Sequence, residues 1–166
     1  NFLLVKDSKN CMHVAIEGSS EKRNWIANGY MPLRGAISKT GYDVPGDVRR
    51  AMHNIIKNWE QTNRMPLSSI VGHSQGGMYA SQVTHSHDSH YKRAGTQIIT
   101  FNAYKPKKKS NQMHFKVKNE HFASLCSPSG RYIPIKKTGG HLSLASNHGM
   151  KYFLQGLKDK SWPEVR

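Results

Sequence analysis

Hydrophobic positions along the chain fall into short runs separated by turn residues, with one long helical stretch among them. Phe2-Leu3-Leu4-Val5 reads as a strand, Asp7-Ser8-Lys9-Asn10 as a turn, and Met12-His13-Val14-Ala15-Ile16 as a second strand, so the chain opens as a β-hairpin. Gly18-Ser19-Ser20 breaks that pattern. From Asp43 to Trp59 the period changes: Val44, Val48, Ala51, Met52, Ile55, Ile56 and Trp59 recur at spacings of three and four, one apolar helical face. Met65-Pro66 ends that unit, and Leu67-Ser68-Ser69-Ile70-Val71 follows as a short strand. A second helix is expected from Met78 to about His85, and a buried strand over Gln97–Phe101. His114 to Lys118 alternates, with Phe115 and Val117 on one face. Ser127-Pro128-Ser129-Gly130 has the composition of a late hairpin turn, and a last helix runs from about Gly149 to Lys158.

Strand, helix, strand, helix, strand is the order of an α/β fold, with a mostly parallel central sheet flanked by helices. A chain of 166 residues fits one such domain over residues 1–166. In a parallel sheet, ligands bind beyond the carboxyl ends of the strands, so the loops after Ile16, Val71, Phe101 and Lys118 are expected to share one rim.

Charge adds a partner class. Lys plus Arg is 25 against 10 for Asp plus Glu, a net charge of +15. Such a chain is drawn to polyanions, either an anionic membrane surface or nucleic acid. The excess is dispersed except for Lys105-Pro106-Lys107-Lys108-Lys109, and no zinc-finger spacing, RNP motif or repeat accompanies it. Nucleic acid is therefore the less favoured partner. No run approaches the ~20 apolar residues of a transmembrane helix, and the N-terminus lacks a signal-peptide pattern. The chain begins at Asn1 rather than Met, as a processed product or a fragment does. Cys11 and Cys126 are the two cysteines, too few for a disulfide scaffold or a Cys-rich zinc site.

The chemistry concentrates at Gly72-His73-Ser74-Gln75-Gly76. This G-x-S-x-G run comes directly after an expected strand and directly before an expected helix, the setting of a nucleophile elbow. The tight turn projects the serine hydroxyl above the sheet, the glycines let neighbouring backbone pass close, and the N–H groups of the helix start favour a developing oxyanion.

With the elbow in place, the chain resembles the class 3, fungal-type lipases of the α/β-hydrolase fold. Ile16-Glu17-Gly18-Ser19-Ser20 with Arg23-Asn24-Trp25-Ile26-Ala27, then Gly41-Tyr42, Val71 to Gly77 and Ile99-Thr100-Phe101-Asn102-Ala103 resemble successive segments of that family in the right order. Three departures stand out: Glu17 where the family usually has Arg, Gln75 where it has Leu, and Thr40 near a common His. The chain is also short for the family, as a minimal or truncated member is. The resemblance implies a small α/β-hydrolase in which Ser74 attacks an ester carbonyl, with no cofactor and no metal. It also places the oxyanion donors at Gln75 and, in the loop after the second strand, at Ser19.

A serine nucleophile needs a base, and the base an orienting acid. In this fold they follow in the order Ser, acid, His. The late-loop histidines are His141 and His148; His148 directly precedes the Met150, Phe153, Leu154, Leu157 helix and resembles the family's placement, so it is the favoured base. The carboxylates between Ser74 and His148 are Asp88 and Glu120. Glu120 sits at the carboxyl end of the His114–Lys118 strand, on the expected rim, and is the favoured acid although the family usually has Asp. Trp25-Ile26, beside polar Glu21 to Asn24, suits an amphipathic lid or an ordinary core. His85, His87, Asp88 and His90 form a polar segment whose spacing does not suit one metal from one helix face.

The expectation is a serine ester hydrolase, lipase or phospholipase A-like, that forms an acyl-enzyme on lipid esters. Lys105, Lys107, Lys108 and Lys109 are expected to hold it on anionic membranes. The alternatives are another acyl hydrolase of the same fold, a thioesterase or peptidase, or an inactive hydrolase-fold domain that binds anionic lipid or nucleic acid.

Overall fold

Every strand of the sheet lies beside its neighbour in sequence, in the order β1-β2-β3-β4-β5-β6 among the described residues. The computed structural model describes residues 2–18, 44–103, 111–117, 133–135, 150 and 154. The strands are β1 (Phe2–Lys6), β2 (Met12–Ile16), β3 (Leu67–His73), β4 (Gln97–Phe101), β5 (Gln112–Val117) and β6 (Ile133–Ile135), and the helices α1 (Gly46–Asn63), α2 (Gln75–Ser86) and α3 (Asp88–Arg93). The result is a mixed, mostly parallel α/β sheet with helices.

The opening hairpin is as expected: β1 pairs antiparallel with β2, from Phe2↔Ile16 to Lys6↔Met12. Its turn is organised by Asp7, whose Oδ1 accepts the N–H groups of Lys9 at 2.9 Å and Cys11 at 2.8 Å, an Asx turn of the kind that short carboxylates favour. From β2 onward every pairing is parallel. The carboxyl ends of β2, β3, β4 and β5 therefore lie on one edge, the shared rim that the sequence predicts.

One face of the sheet holds the main core. Val14, Ile16, Ile70 and Ile98 pack there with Ile56 of α1 and Ala80 of α2, all nearly sealed from water. Each of the valine and isoleucine side chains contributes roughly 1.5–3 kcal/mol of transfer free energy. On the other face Phe101 and Phe115 stack with centroids 5.5 Å apart, and Val71, Ile99, Met113 and Met150 pack around them.

Several boundaries differ from expectation. α1 starts at Gly46 rather than Asp43, because Pro45 stands before it, and it continues to Asn63 before Arg64 turns left-handed (φ 53). Val44 belongs to the approach instead, its N–H donated to Gln82 Oε1 at 2.6 Å. The apolar face is narrower than predicted: Ile56 is 2% exposed while Ile55 is 46% exposed. Asp88 opens the short helix α3, where a polar loop was expected. β6 follows the Ser127–Gly130 segment but pairs parallel with β5; the other arm of the expected hairpin lies outside the described residues. No helix among the described residues is long and apolar enough to cross a membrane.

Candidate active site

The turn at Ser74 is built by close backbone approach. Ser74 has φ 54 and ψ −122, a region that costs a non-glycine residue about 1–3 kcal/mol and persists only where its surroundings enforce it. Those surroundings are visible. The N–H of Ser74 donates to the carbonyl of Phe101 at 2.9 Å, and its own carbonyl accepts the N–H of Met78 at 3.2 Å. Ser74 stands at the N-cap of α2, yet its hydroxyl does not cap the helix. The residue is only 4% exposed.

The flanking glycines are required by space. A Cβ on Gly72 would strike the backbone of Gly76 and Gly77, and a Cβ on Gly76 would strike the carbonyls of Ile16 and Glu17. One on Gly77 would come within 2.7 Å of Ala103 Cβ. The start of α2 is thus pressed against the ends of both β2 and β4. Gly18 lies beside the serine as well: a Cβ there would meet His73 O at 2.8 Å and Ser74 Cβ at 3.1 Å. The loop after β2 therefore begins in contact with the turn at Ser74. Gln75 is the first residue of α2 and directly follows the serine.

The structure brings together Ser74, Gln75, Gly18 and the carboxyl ends of β2 and β4. Ser19, Trp25, Ile26, Lys105, Lys107, Lys108, Lys109, Glu120, His141 and His148 lie outside the described residues. Asp88 is placed, and away from the serine. It begins α3, beyond the far end of the twelve-residue α2, about 18 Å along the helix axis from Ser74 at 1.5 Å per residue. Its carboxylate pairs with Lys92 at 3.0 Å.

A Ser–His–Asp hydrogen-bonded chain, elsewhere in the sheet, has no counterpart in the sequence expectations. His13 Nε2–H donates to Asp7 Oδ2 at 3.3 Å, which leaves Nδ1 to accept the hydroxyl of Ser69 at 2.8 Å. His13 and Ser69 are parallel partners on β2 and β3, directly after the register shift at Met12/His13. Ser69 is not among the residues with positive φ; it sits within a strand, about 17 Å of extended chain before Ser74. The chain clamps the hairpin to the parallel sheet. Its only sequence signal is Asp7 in a turn composition; the partners are separated by 56 residues.

A histidine cluster was also missed. His53 of α1 stacks on His87 with centroids 3.7 Å apart and planes within 7°. His53 Nδ1 lies 3.0 Å from the hydroxyl of buried Tyr91, and His90 Nε2 donates to Glu60 Oε2 at 2.7 Å. Among the described residues no group of three or more His, Cys, Asp or Glu is arranged to hold a metal ion.

No family model matches this chain, and neither a curated protein nor a solved structure matches it.

Proposed function

We propose that this chain is a serine carboxylic ester hydrolase of lipase or phospholipase A type, with Ser74 as the nucleophile. The observation that carries the reading is the conformation of Ser74, φ 54 and ψ −122 between β3 and α2. A strained serine at a strand-to-helix turn is what an elbow nucleophile requires, and a plain glycine-rich turn has no need of it. The backbone N–H of Gln75, with a donor from Ser19, forms the oxyanion hole. His148 takes the serine proton, Glu120 orients the imidazole, and the acyl-enzyme is hydrolysed by water activated by the same histidine.

Support for His148 comes from Met150, which packs against the Phe101–Phe115 cluster. Phe101 is also the residue whose carbonyl holds Ser74, and His148 precedes Met150 by two residues. Support for Glu120 comes from the placement of Asp88 at the other end of α2. A lipid ester is the favoured substrate because the charge of +15 concentrates the enzyme at anionic surfaces, where the Lys105–Lys109 run supplies local contacts. The test is labelling with a fluorophosphonate probe followed by peptide mapping. A single adduct on Ser74 is expected; no adduct, or an adduct on Ser69 instead, overturns the assignment.

A further inference from the structure

We propose that the junction of α1 with α3 is an acid-sensitive latch: protonation of the stacked imidazoles of His53 and His87 releases α3 from α1 and uncovers Tyr91. This inference is independent of the hydrolase reading.

The geometry sets the conflict. Two imidazoles stacked at 3.7 Å cannot both carry charge in that arrangement without strong repulsion. His90 stands edge-on to His53 at 5.2 Å, a third ring in the same small volume. The remaining groups give little relief. α1 contributes the cations Arg49 and Lys57, which act on His87 and His53 respectively. α3 contributes Asp88, paired with Lys92. The carboxylate that acts on His53, Glu60, already accepts from the Leu67 N–H at 2.9 Å through Oε1 and from His90 at 2.7 Å through Oε2. Glu60 is 9% exposed and fastened at both oxygens, so it is not free to turn toward His53.

The closed junction accordingly prefers neutral rings. Burial, then His87, His90 and Lys57, outweigh Glu60 and push the His53 imidazole down to about 4. Burial, then His90 and Arg49, lower His87 as well. Burial pushes the phenol of Tyr91 above its usual range, so its O–H stays protonated and donates to the neutral His53 Nδ1. Tyr91 is fully buried and belongs to the main core.

The direction of the response follows. Once α3 is released, His53 regains its ordinary value of 6.5, so the open form binds more protons than the closed form between about 4 and 6.5. The closed latch is fully favoured above that window and is lost as pH falls through it. His53 alone makes opening on the order of tenfold more favourable at pH 5 than at pH 7.5.

The test is residue-resolved amide hydrogen exchange at those two pH values, corrected for intrinsic exchange chemistry. The reporters are the N–H groups of Tyr91, Ala94 and Thr96, which donate to His87 O, His90 O and Tyr91 O; the controls are Ile98 and Asn102, which donate across the sheet to Asn111 O and Phe115 O. Exchange at the reporters is expected to rise about tenfold or more at pH 5, with the controls unchanged. In His53→Gln, which keeps an acceptor for Tyr91 without titrating in this range, the rise should fall below about threefold. His53→Phe, which keeps an aromatic ring stacked on His87 and removes the titrating group, provides the same comparison if His53→Gln does not fold. Equal reporter exchange at both pH values, an undiminished rise in the folded variant, or reporters and controls opening together would each overturn the latch.

Discussion

The N–H of Ser74 donates to the carbonyl of Phe101 at 2.9 Å, so the residue that leaves β3 is fastened to the last residue of β4. The same Phe101 stacks on Phe115, and Asn102 donates its N–H to Phe115 O at 2.9 Å. The strained turn is thereby tied across three strands. Backbone bonds of this kind offset the cost of the Ser74 conformation and fix the residue between β3 and α2.

The glycines around that turn should be unequal in their tolerance of substitution. Gly76→Ala drives a methyl into the carbonyls of Ile16 and Glu17, which are backbone atoms without a rotamer to yield. A loss of about 3 kcal/mol or more is expected. Gly95→Ala meets nothing within 4 Å and carries only the strain of φ +70, a loss of about 1 kcal/mol. Urea denaturation of both variants checks the ranking.

Much of the fold was legible because the parallel strands are buried and short. Ile98-Ile99-Thr100-Phe101 has the apolar run of a strand covered on both faces, and its predicted bounds coincide with β4. The tight turn from Gly72 to Gly77 was legible because its glycines are dictated by backbone contact, which leaves a local mark. α3 was not. In Asp88-Ser89-His90-Tyr91-Lys92-Arg93 the single buried side chain is Tyr91, too little to make a period. β6, Ile133-Pro134-Ile135, is three residues with a proline at its centre, and tertiary pairing with β5 defines it. The clamp of Asp7, His13 and Ser69 and the stack of His53 on His87 join residues far apart in sequence, so neither leaves a spacing to read.

The base and acid should separate by substitution. His148→Ala is expected to lower kcat/KM by at least about a thousandfold, since triad members act as a unit, and His141→Ala by far less. Glu120→Gln should cost at least about a hundredfold, while Asp88→Asn, at the other end of α2 from Ser74, should leave turnover near wild type. Steady-state kinetics on purified, folded variants decide the matter. A larger effect at His141 than at His148 transfers the base.

The basic run should matter only at an interface. Each lysine near an anionic leaflet contributes about 1 kcal/mol, within a Debye length of about 10 Å at 0.1 M salt. Hydrolysis on anionic liposomes should exceed that on zwitterionic ones and decline as salt rises. Replacing Lys107, Lys108 and Lys109 by Gln should erase the preference and spare a soluble short-chain ester. Equal rates on the two liposomes at low salt would remove the membrane role.

Asp7 makes stability depend on pH in the acid range. The N–H of Cys11, the largest influence, together with the side chain of His13 and the N–H of Lys9, outweighs desolvation and holds the Asp7 carboxyl below its ordinary 3.8. A lowered carboxylate stabilises the fold above the unfolded value, and that contribution disappears as pH falls through the folded one. Asp7→Asn should therefore be less stable than wild type at pH 7, and the gap should be narrower at a pH well below the ordinary 3.8. Thermal melts at the two pH values measure it; a constant gap would contradict the assignment.

The central claim rests on one comparison, the hydrolysis of a p-nitrophenyl ester by wild type and by Ser74→Ala. Wild type is expected to turn over, and the variant to retain its circular dichroism and melting behaviour while losing at least about a thousandfold in kcat/KM. A wild type without turnover, or a folded Ser74→Ala that matches it, would contradict the account.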